Sequence, residues 1–178
     1  MTKVVCMVGK KKSGKTTFIE KLVPALARLG VSVGTVKHDA HSFDMDHEGK
    51  DSWRHRKCGA ETVVVSSPAQ VAMIRSVERE MSLEQIVDTY FRDRHLVIAE
   101  GYFRSDFPKM EIFRPEAHDL PLCTRSIAGE KQLLAMITDK PTDVGVPTFS
   151  PDDAEGAAQW LARHLLGWVA SGMWSGEK

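Results

Sequence analysis

Long apolar runs, an excess of one charge and closely paired cysteines are all missing from this 178-residue chain. No stretch approaches the roughly 20 consecutive apolar residues that a membrane span requires. The 24 basic residues are matched by 24 acidic ones, so no general attraction to nucleic acid is implied. The three cysteines, Cys6, Cys58 and Cys123, are odd in number and form no C-x-x-C pair. A reduced, cytoplasmic protein is therefore expected. No basic-then-apolar signal segment precedes the first strand-like run, and neither repeats nor a low-complexity linker interrupt the chain. The length predicts one domain, residues 1–178, with room for a substantial core.

What is present is concentrated near the start. Val4-Val5-Cys6-Met7-Val8 reads as a buried strand and leads directly into Gly9-Lys10-Lys11-Lys12-Ser13-Gly14-Lys15-Thr16. This fits G-x-x-x-x-G-K-[ST], the phosphate-binding loop, and a helical pattern with Phe18, Leu22, Leu26 and Leu29 on one face follows it. In such a setting, successive backbone N–H groups and the positive end of the helix converge on an anion. Gly9 and Gly14 allow the backbone to approach phosphate closely. Lys15 would reach the β- and γ-phosphates, and the Thr16 hydroxyl would hold Mg²⁺.

Further along, Gly30 is a good stop for a helix over 16–29, with Pro24 inside it at the cost of a hydrogen bond or a kink. Val31 to Val36 reads as a second strand, so the first 36 residues form a βαβ unit and imply a parallel sheet. The next segment, 37–51, is polar and rich in His and Asp, and it starts where ligands bind in open α/β sheets. Asp51 would cap a short helix through Arg56, closed by Gly59. Glu61 to Ser66 and Gln70 to Arg75 read as strands around Ser67-Pro68 that could pair as a hairpin. Ser82 to Phe91 reads as a helix capped by Ser82.

The apolar run His95 to Ala99 reads as a buried parallel strand ending in Glu100, where phosphate-loop NTPases place an acidic residue that organises Mg²⁺. Lys109 to Phe113 and Leu133 to Ile137 supply two more strands, the last ending in Thr138-Asp139. After a loop over 141–151, Ser150-Pro151-Asp152-Asp153 marks a helix start with Ser150 as the cap. Trp160, Leu161, Leu165, Trp168 and Val169 form its packing stripe. The expected class is α/β: a three-layer phosphate-loop NTPase fold, its mostly parallel sheet covered by helices on both faces, with the hairpin as an insertion.

The middle segment narrows the class. Lys37-His38, His41, Asp44-Met45-Asp46, Gly49-Lys50-Asp51-Ser52, Arg56 and Gly59-Ala60, taken with Gly14-Lys15-Thr16-Thr17 and Glu100-Gly101-Tyr102, resemble the MobB-type molybdopterin-guanine dinucleotide biosynthesis adapter proteins. The likeness runs from Val4 to about Leu166. It implies a GTP-binding helper, at most a weak GTPase, for attaching GMP to molybdopterin. The nucleotidyl transfer would belong to a separate MobA-type enzyme, and the adapter would be a homodimer. Carried onto this chain, Gly9 and Ser13, Gly14, Lys15, Thr16 and Thr17 would hold phosphate, and Thr16 and Glu100 would serve the metal. His38, Asp44, Asp46, Lys50 and Asp51 would line the nucleotide mouth or a docking surface. No catalytic residue is assigned.

Some features depart from that pattern. The Lys10-Lys11-Lys12 run is more basic than usual; it would raise anion affinity, or like-charge crowding near Lys15 would turn it outward. Lys10 also occupies the position from which a related dimeric ATPase branch reaches its partner's nucleotide. The N-K-x-D guanine-reading motif is missing, which leaves Asp139 as a candidate for guanine's N1–H and N2–H₂, or as a turn residue before Pro141. Two other classes compete. A metallochaperone GTPase would use His38, His41, His47 and His55, although no Cys adjoins a His. A small-molecule kinase would need lid cations such as Arg104, Arg114 or Arg125, in a stretch broken by Pro108, Pro115 and Pro121.

Overall fold

The computed structural model describes residues 1–39, 43–123, 133–140 and 145–167. It divides into two compact units, Met1–His38 with Leu83–Lys178, and Asp39–Ser82.

The larger unit is built on six parallel strands: β1 (Lys3–Val8), β2 (Val33–Lys37), β5 (Leu96–Glu100), β6 (Lys109–Ile112), β7 (Leu133–Ile137) and β8 (Thr148–Phe149), in the spatial order β2-β5-β1-β6-β7-β8. Alternation along β1 separates two cores. Val5 and Met7 point to the side covered by α1 (Lys15–Arg28) and α4 (Ala154–His164), and Val4, Cys6 and Val8 to the side covered by α3 (Leu83–Tyr90). Helix α1 places Phe18, Leu22, Ala25 and Leu26 on its buried stripe, against Ala157, Ala158 and Leu161 of α4. Each of the buried leucines contributes about 1.5–3 kcal/mol by leaving water. The stripe expected on the last helix packs as core: Leu161 is fully buried, and Trp160 and Leu165 lie against the same cluster. Trp168 and Val169 fall outside the described residues.

The βαβ reading is right about parallelism, and the sheet adds an insertion: β5 lies between β1 and β2, in register with both. Three local expectations are corrected. The strand ending at Thr138 is not the last, because Met136 and Thr138 donate to Pro147 and Phe149 and so add β8. The cap of α4 is Asp153, whose carboxylate accepts from Gly156 N–H at 2.9 Å. Ser150 instead closes the turn before it, accepting from Asp153 N–H. A carboxylate is the stronger partner for the helix's positive end, so the later candidate prevails. The second strand begins at Val33 rather than Val31 and extends to Lys37.

The smaller unit holds α2 (Asp51–Lys57) and an antiparallel hairpin of β3 (Thr62–Ser66) and β4 (Val71–Arg75), as the sequence suggested. Ser67 Oγ accepts from Gln70 N–H at 3.1 Å and so ties the turn. Lys50, not Asp51, occupies the cap position of α2, and Asp51 sits in its first turn, where its charge still suits the helix end. Val63 is the one buried side chain among this unit's described residues.

Candidate functional site

The carboxyl ends of β1, β5 and β2 define one place in the larger unit. Met7, Glu100 and Lys37 are level across the three strands, and the chain leaves β1 straight into Gly9. Gly9 has φ of 150°, and a Cβ there would lie 2.5 Å from the Ile112 carbonyl oxygen and 2.6 Å from Ser13 Oγ. Only glycine lets the backbone pass between β6 and the loop at that point. Gly14 stands at the start of α1 with φ of 93°, and no side chain caps the helix. The first N–H groups of α1 are thus left to whatever anion the loop receives.

Three side chains give this cradle its chemistry. Ser13 is 2% exposed, and its hydroxyl has no hydrogen-bond partner; an unmatched buried donor disfavours the ligand-free loop and is satisfied when an acceptor arrives. Lys15 folds back over the loop, its Nζ donating to the carbonyls of Gly9 and Lys10 at 2.9 and 3.0 Å. Partial burial pushes its pKa below the usual lysine value, with Lys37 adding to the fall and the Glu100 carboxylate opposing it. Thr16 Oγ1 lies 3.4 Å from both carboxylate oxygens of Glu100. A hydroxyl and a carboxylate facing each other beside a phosphate cradle are the oxygen donors a Mg²⁺ ion takes. The residues therefore fit a Mg²⁺-bound phosphate chain. Thr17 follows in the first turn of α1 and is exposed, as are Lys11 and Lys12; Lys10 is half-buried.

Around the cradle, His38 continues from β2 and donates its N–H to the Glu100 carbonyl at 3.0 Å. Its ring packs at 5.0 Å on Tyr102, which follows Gly101 in a left-handed conformation with φ of 52°. The ends of β2 and β5 are thereby clamped together. Asp139 lies exposed beyond β7, after a buried Thr138 whose Oγ1 accepts from Lys140 N–H.

Asp44, Asp46, Lys50 and Asp51 belong to the smaller unit. Asp46 accepts from the Ser52 hydroxyl at 2.9 Å. Asp44 pairs with Arg56 at 3.2 Å; the N–H of Asp46, and then Arg56, hold its carboxyl below the usual range. Asp51 faces Arg54 at 4.0 Å. These acids are engaged within their own unit, and no group of three or more His, Cys, Asp or Glu gathers as a metal centre among the described residues. His41 and Arg125 lie outside those residues; Arg104 and Arg114 are exposed.

Two groups near the loop are not evident from the motif. Lys37 brings a second positive charge to the level of Glu100. His118, on the connection after β6, has Nε2 at 3.0 Å from the Lys11 carbonyl oxygen. Strand order could have exposed Lys37, as the last residue of a strand beside β5, whereas nothing in the local sequence announces His118.

A parallel sheet with this loop between β1 and α1, and an acid ending the strand beside it, defines a phosphate-loop α/β protein of the NTPase fold class. Residues 4–139 match the family model described as molybdopterin guanine dinucleotide synthesis protein B, MobB. The chain is 32% identical, over 86% of its length and 87% of the relative's, to the molybdopterin-guanine dinucleotide biosynthesis adapter protein of Escherichia coli. It is similar in structure to a crystallised molybdopterin-guanine biosynthesis protein B, with a TM-score of 0.70 at 30% identity, covering 89% of this chain and 97% of the other. The MobB homologue of Bacillus stearothermophilus aligns with a TM-score of 0.66 at 28% identity, covering 91% and 97%. The chain belongs to the MobB family, the adapter proteins of molybdopterin guanine dinucleotide biosynthesis. No described helix is long and apolar enough to cross a membrane.

Proposed function

We propose that this adapter works by binding GTP with Mg²⁺ in the Gly9–Thr17 cradle and presenting it, in the cytoplasm, to a MobA-type molybdopterin nucleotidyltransferase. The observation that carries the reading is the Thr16 hydroxyl facing the Glu100 carboxylate at 3.4 Å, beside an uncapped helix start and the unpartnered Ser13 hydroxyl. Backbone N–H groups from Gly9 to Thr16 would surround the phosphates. Lys15 would exchange its two carbonyl partners for phosphate oxygens, while Thr16 and Glu100 would hold the metal. Mg²⁺, when bound, would offset the charge of the phosphate chain. Asp139 would accept from guanine's N1–H and N2–H₂. His38 would line the mouth of the site, and Asp46, Lys50 and Asp51 would meet the partner.

Hydrolysis in this reading is slow. Such sites gain about 10³ to 10⁵ in rate from a residue that orients water or an arginine that neutralises the transition state. Arg104 and Arg114 are exposed, and no Gln is assigned that task. We also propose that the protein is a homodimer, a reading supported by one exposed face of the hairpin. There Val64, Met73 and Val71 are 54%, 43% and 67% exposed, and Val64 lies directly across from Met73.

Titration of the purified protein with GTP and ATP, each with and without Mg²⁺, and with and without a molybdopterin nucleotidyltransferase, tests the proposal. It expects Mg²⁺-dependent binding with GTP preferred, turnover far below about one per second, and tighter association with the transferase when GTP is present. Equal affinity for ATP would remove guanine from the account. Vigorous hydrolysis without the partner would replace the adapter reading with an enzymatic one.

A further inference from the structure

After β6 the chain leaves the sheet, and residues 114–123 return to it under tight control. Glu111 is 1% exposed, and its carboxylate accepts the backbone N–H groups of Leu122 at 2.5 Å and Cys123 at 2.7 Å. Hydrogen bonds to an ionised acceptor are roughly twice as strong as neutral ones, and Cys123 is itself 1% exposed in the core beneath α3. At the other end, Phe113 N–H donates to the Ile137 carbonyl at 2.9 Å. Between these anchors the Arg114 carbonyl accepts from the N–H groups of Ala117 and His118, at 3.0 and 3.1 Å, and makes a tight turn. His118 stands at the end of that turn, with Nε2 3.0 Å from the Lys11 carbonyl oxygen. Because a carbonyl only accepts, this contact requires the hydrogen on Nε2.

The carbonyl it holds matters to the cradle. A backbone nest binds an anion by pointing N–H groups inward, and a carbonyl oxygen rotated toward the anion would repel it. Lys11 is followed by Lys12, a non-glycine residue at φ of 65°, a conformation that persists only when its surroundings hold it. Within the loop, the carbonyls of Gly9 and Lys10 are engaged by Lys15, and those bonds must be released when its ammonium turns to phosphate. The His118 contact comes from outside the loop and has no such conflict.

We propose that His118 is a positioning residue: it holds the Lys11 carbonyl away from the anion and keeps the crown of the loop in its phosphate-receiving shape. Glu111 supplies the fixed base from which the 114–123 strap does this. The inference rests on the reading of Gly9–Thr17 as a nucleotide-phosphate site.

Calorimetric titration of the full-length protein with GTP·Mg²⁺ tests it, using wild type, His118→Ala and His118→Gln, with the melting temperature of each measured without nucleotide. Loss of one such hydrogen bond predicts binding weakened about threefold to tenfold in His118→Ala. The ligand-free melting temperature should fall by no more than about 2–4 °C, the shift expected for one surface hydrogen bond in a chain of this size. Gln retains an N–H of similar reach and should restore affinity to within about twofold of wild type. Binding by His118→Ala equal to wild type, or a weakening that Gln does not repair, overturns the positioning role while leaving the phosphate site intact. Wild-type protein that takes up no GTP·Mg²⁺ defeats the phosphate-site reading, and the role of His118 with it.

Discussion

The two compact units of this chain bury themselves very differently. In the body formed by Met1–His38 and Leu83–Lys178, the central strands β1, β5, β6 and β7 are covered on both faces, and Val5, Met7, Leu22, Ile98, Met136 and Leu161 are almost fully removed from water. Among the described residues of Asp39–Ser82, Val63 is the buried side chain, while Phe43, Met45, Val64, Val65, Val71, Met73 and Val77 are all exposed. A lone two-stranded hairpin is marginal in water, because one sheet face has nothing to pack on. The body therefore has the means to hold a fixed cradle, and the smaller unit carries surface better suited to meeting another molecule.

The contrast can be broken most severely at the cradle. Lys15→Ala should reduce GTP·Mg²⁺ affinity by about a hundredfold or more, since it deletes the charge-assisted bonds to phosphate. Its circular dichroism and melting should stay close to wild type; unchanged affinity would remove the phosphate-loop assignment. Next comes the core. Leu161→Ala should destabilise the protein by about 2–5 kcal/mol, read by urea unfolding, whereas Val64→Thr, on the exposed hairpin face, should change the same unfolding free energy by less than about 0.5 kcal/mol. Equal losses at the two positions would show that both regions are cores of the same kind. The combined substitution Val64→Glu with Met73→Glu should shift the particle mass from dimer toward monomer in light scattering, with GTP binding retained. A dimer that survives it would place the interface elsewhere.

The smallest effect is on pH. The folded pKa of Lys15 lies below its ordinary value, chiefly through burial, and an incoming phosphate chain would raise it again. At neutral pH the ammonium is present and binding should be level. As pH rises through the lowered pKa toward 10.5, the free protein loses the proton that the complex retains, and affinity should fall. For folding the sign is opposite: burying the charged form is unfavourable, so this residue's penalty is relieved across the same window. Titrations at several alkaline pH values, with Lys15→Arg as the control that keeps its charge, check the direction.

Much of the body was legible because each signal was local. Val4 to Val8, the glycine spacing and the stripe of Phe18, Leu22 and Leu26 lie within 30 residues of one another. Leu96 to Glu100 reads as a buried strand with its acid at the end. What stayed hidden depended on assembly. The placing of β5 between β1 and β2 puts Lys37 beside Glu100, and no pattern along the chain states that neighbourhood. The contact between His118 and Lys11 spans 107 positions, and Glu111 looks like an ordinary outward residue until its partners Leu122 and Cys123 are known. The cap of α4 was missed for a different reason: Ser150 and Asp153 are both good candidates, and only the path of the turn chooses between them.

The order β2-β5-β1 also bears on how the chain comes into being. During synthesis the phosphate loop emerges early, with β1 and β2 on either side of it, yet those strands do not pair with each other. Their shared neighbour is made some 60 residues later, after the whole smaller unit. Non-local pairing of this sort must wait for its partner and leaves apolar edges uncovered meanwhile. The strand that closes the gap ends in Glu100. That strand brings Glu100 level with Met7 at the foot of the loop, so a half-made chain lacks both the neighbour of β1 and this carboxylate.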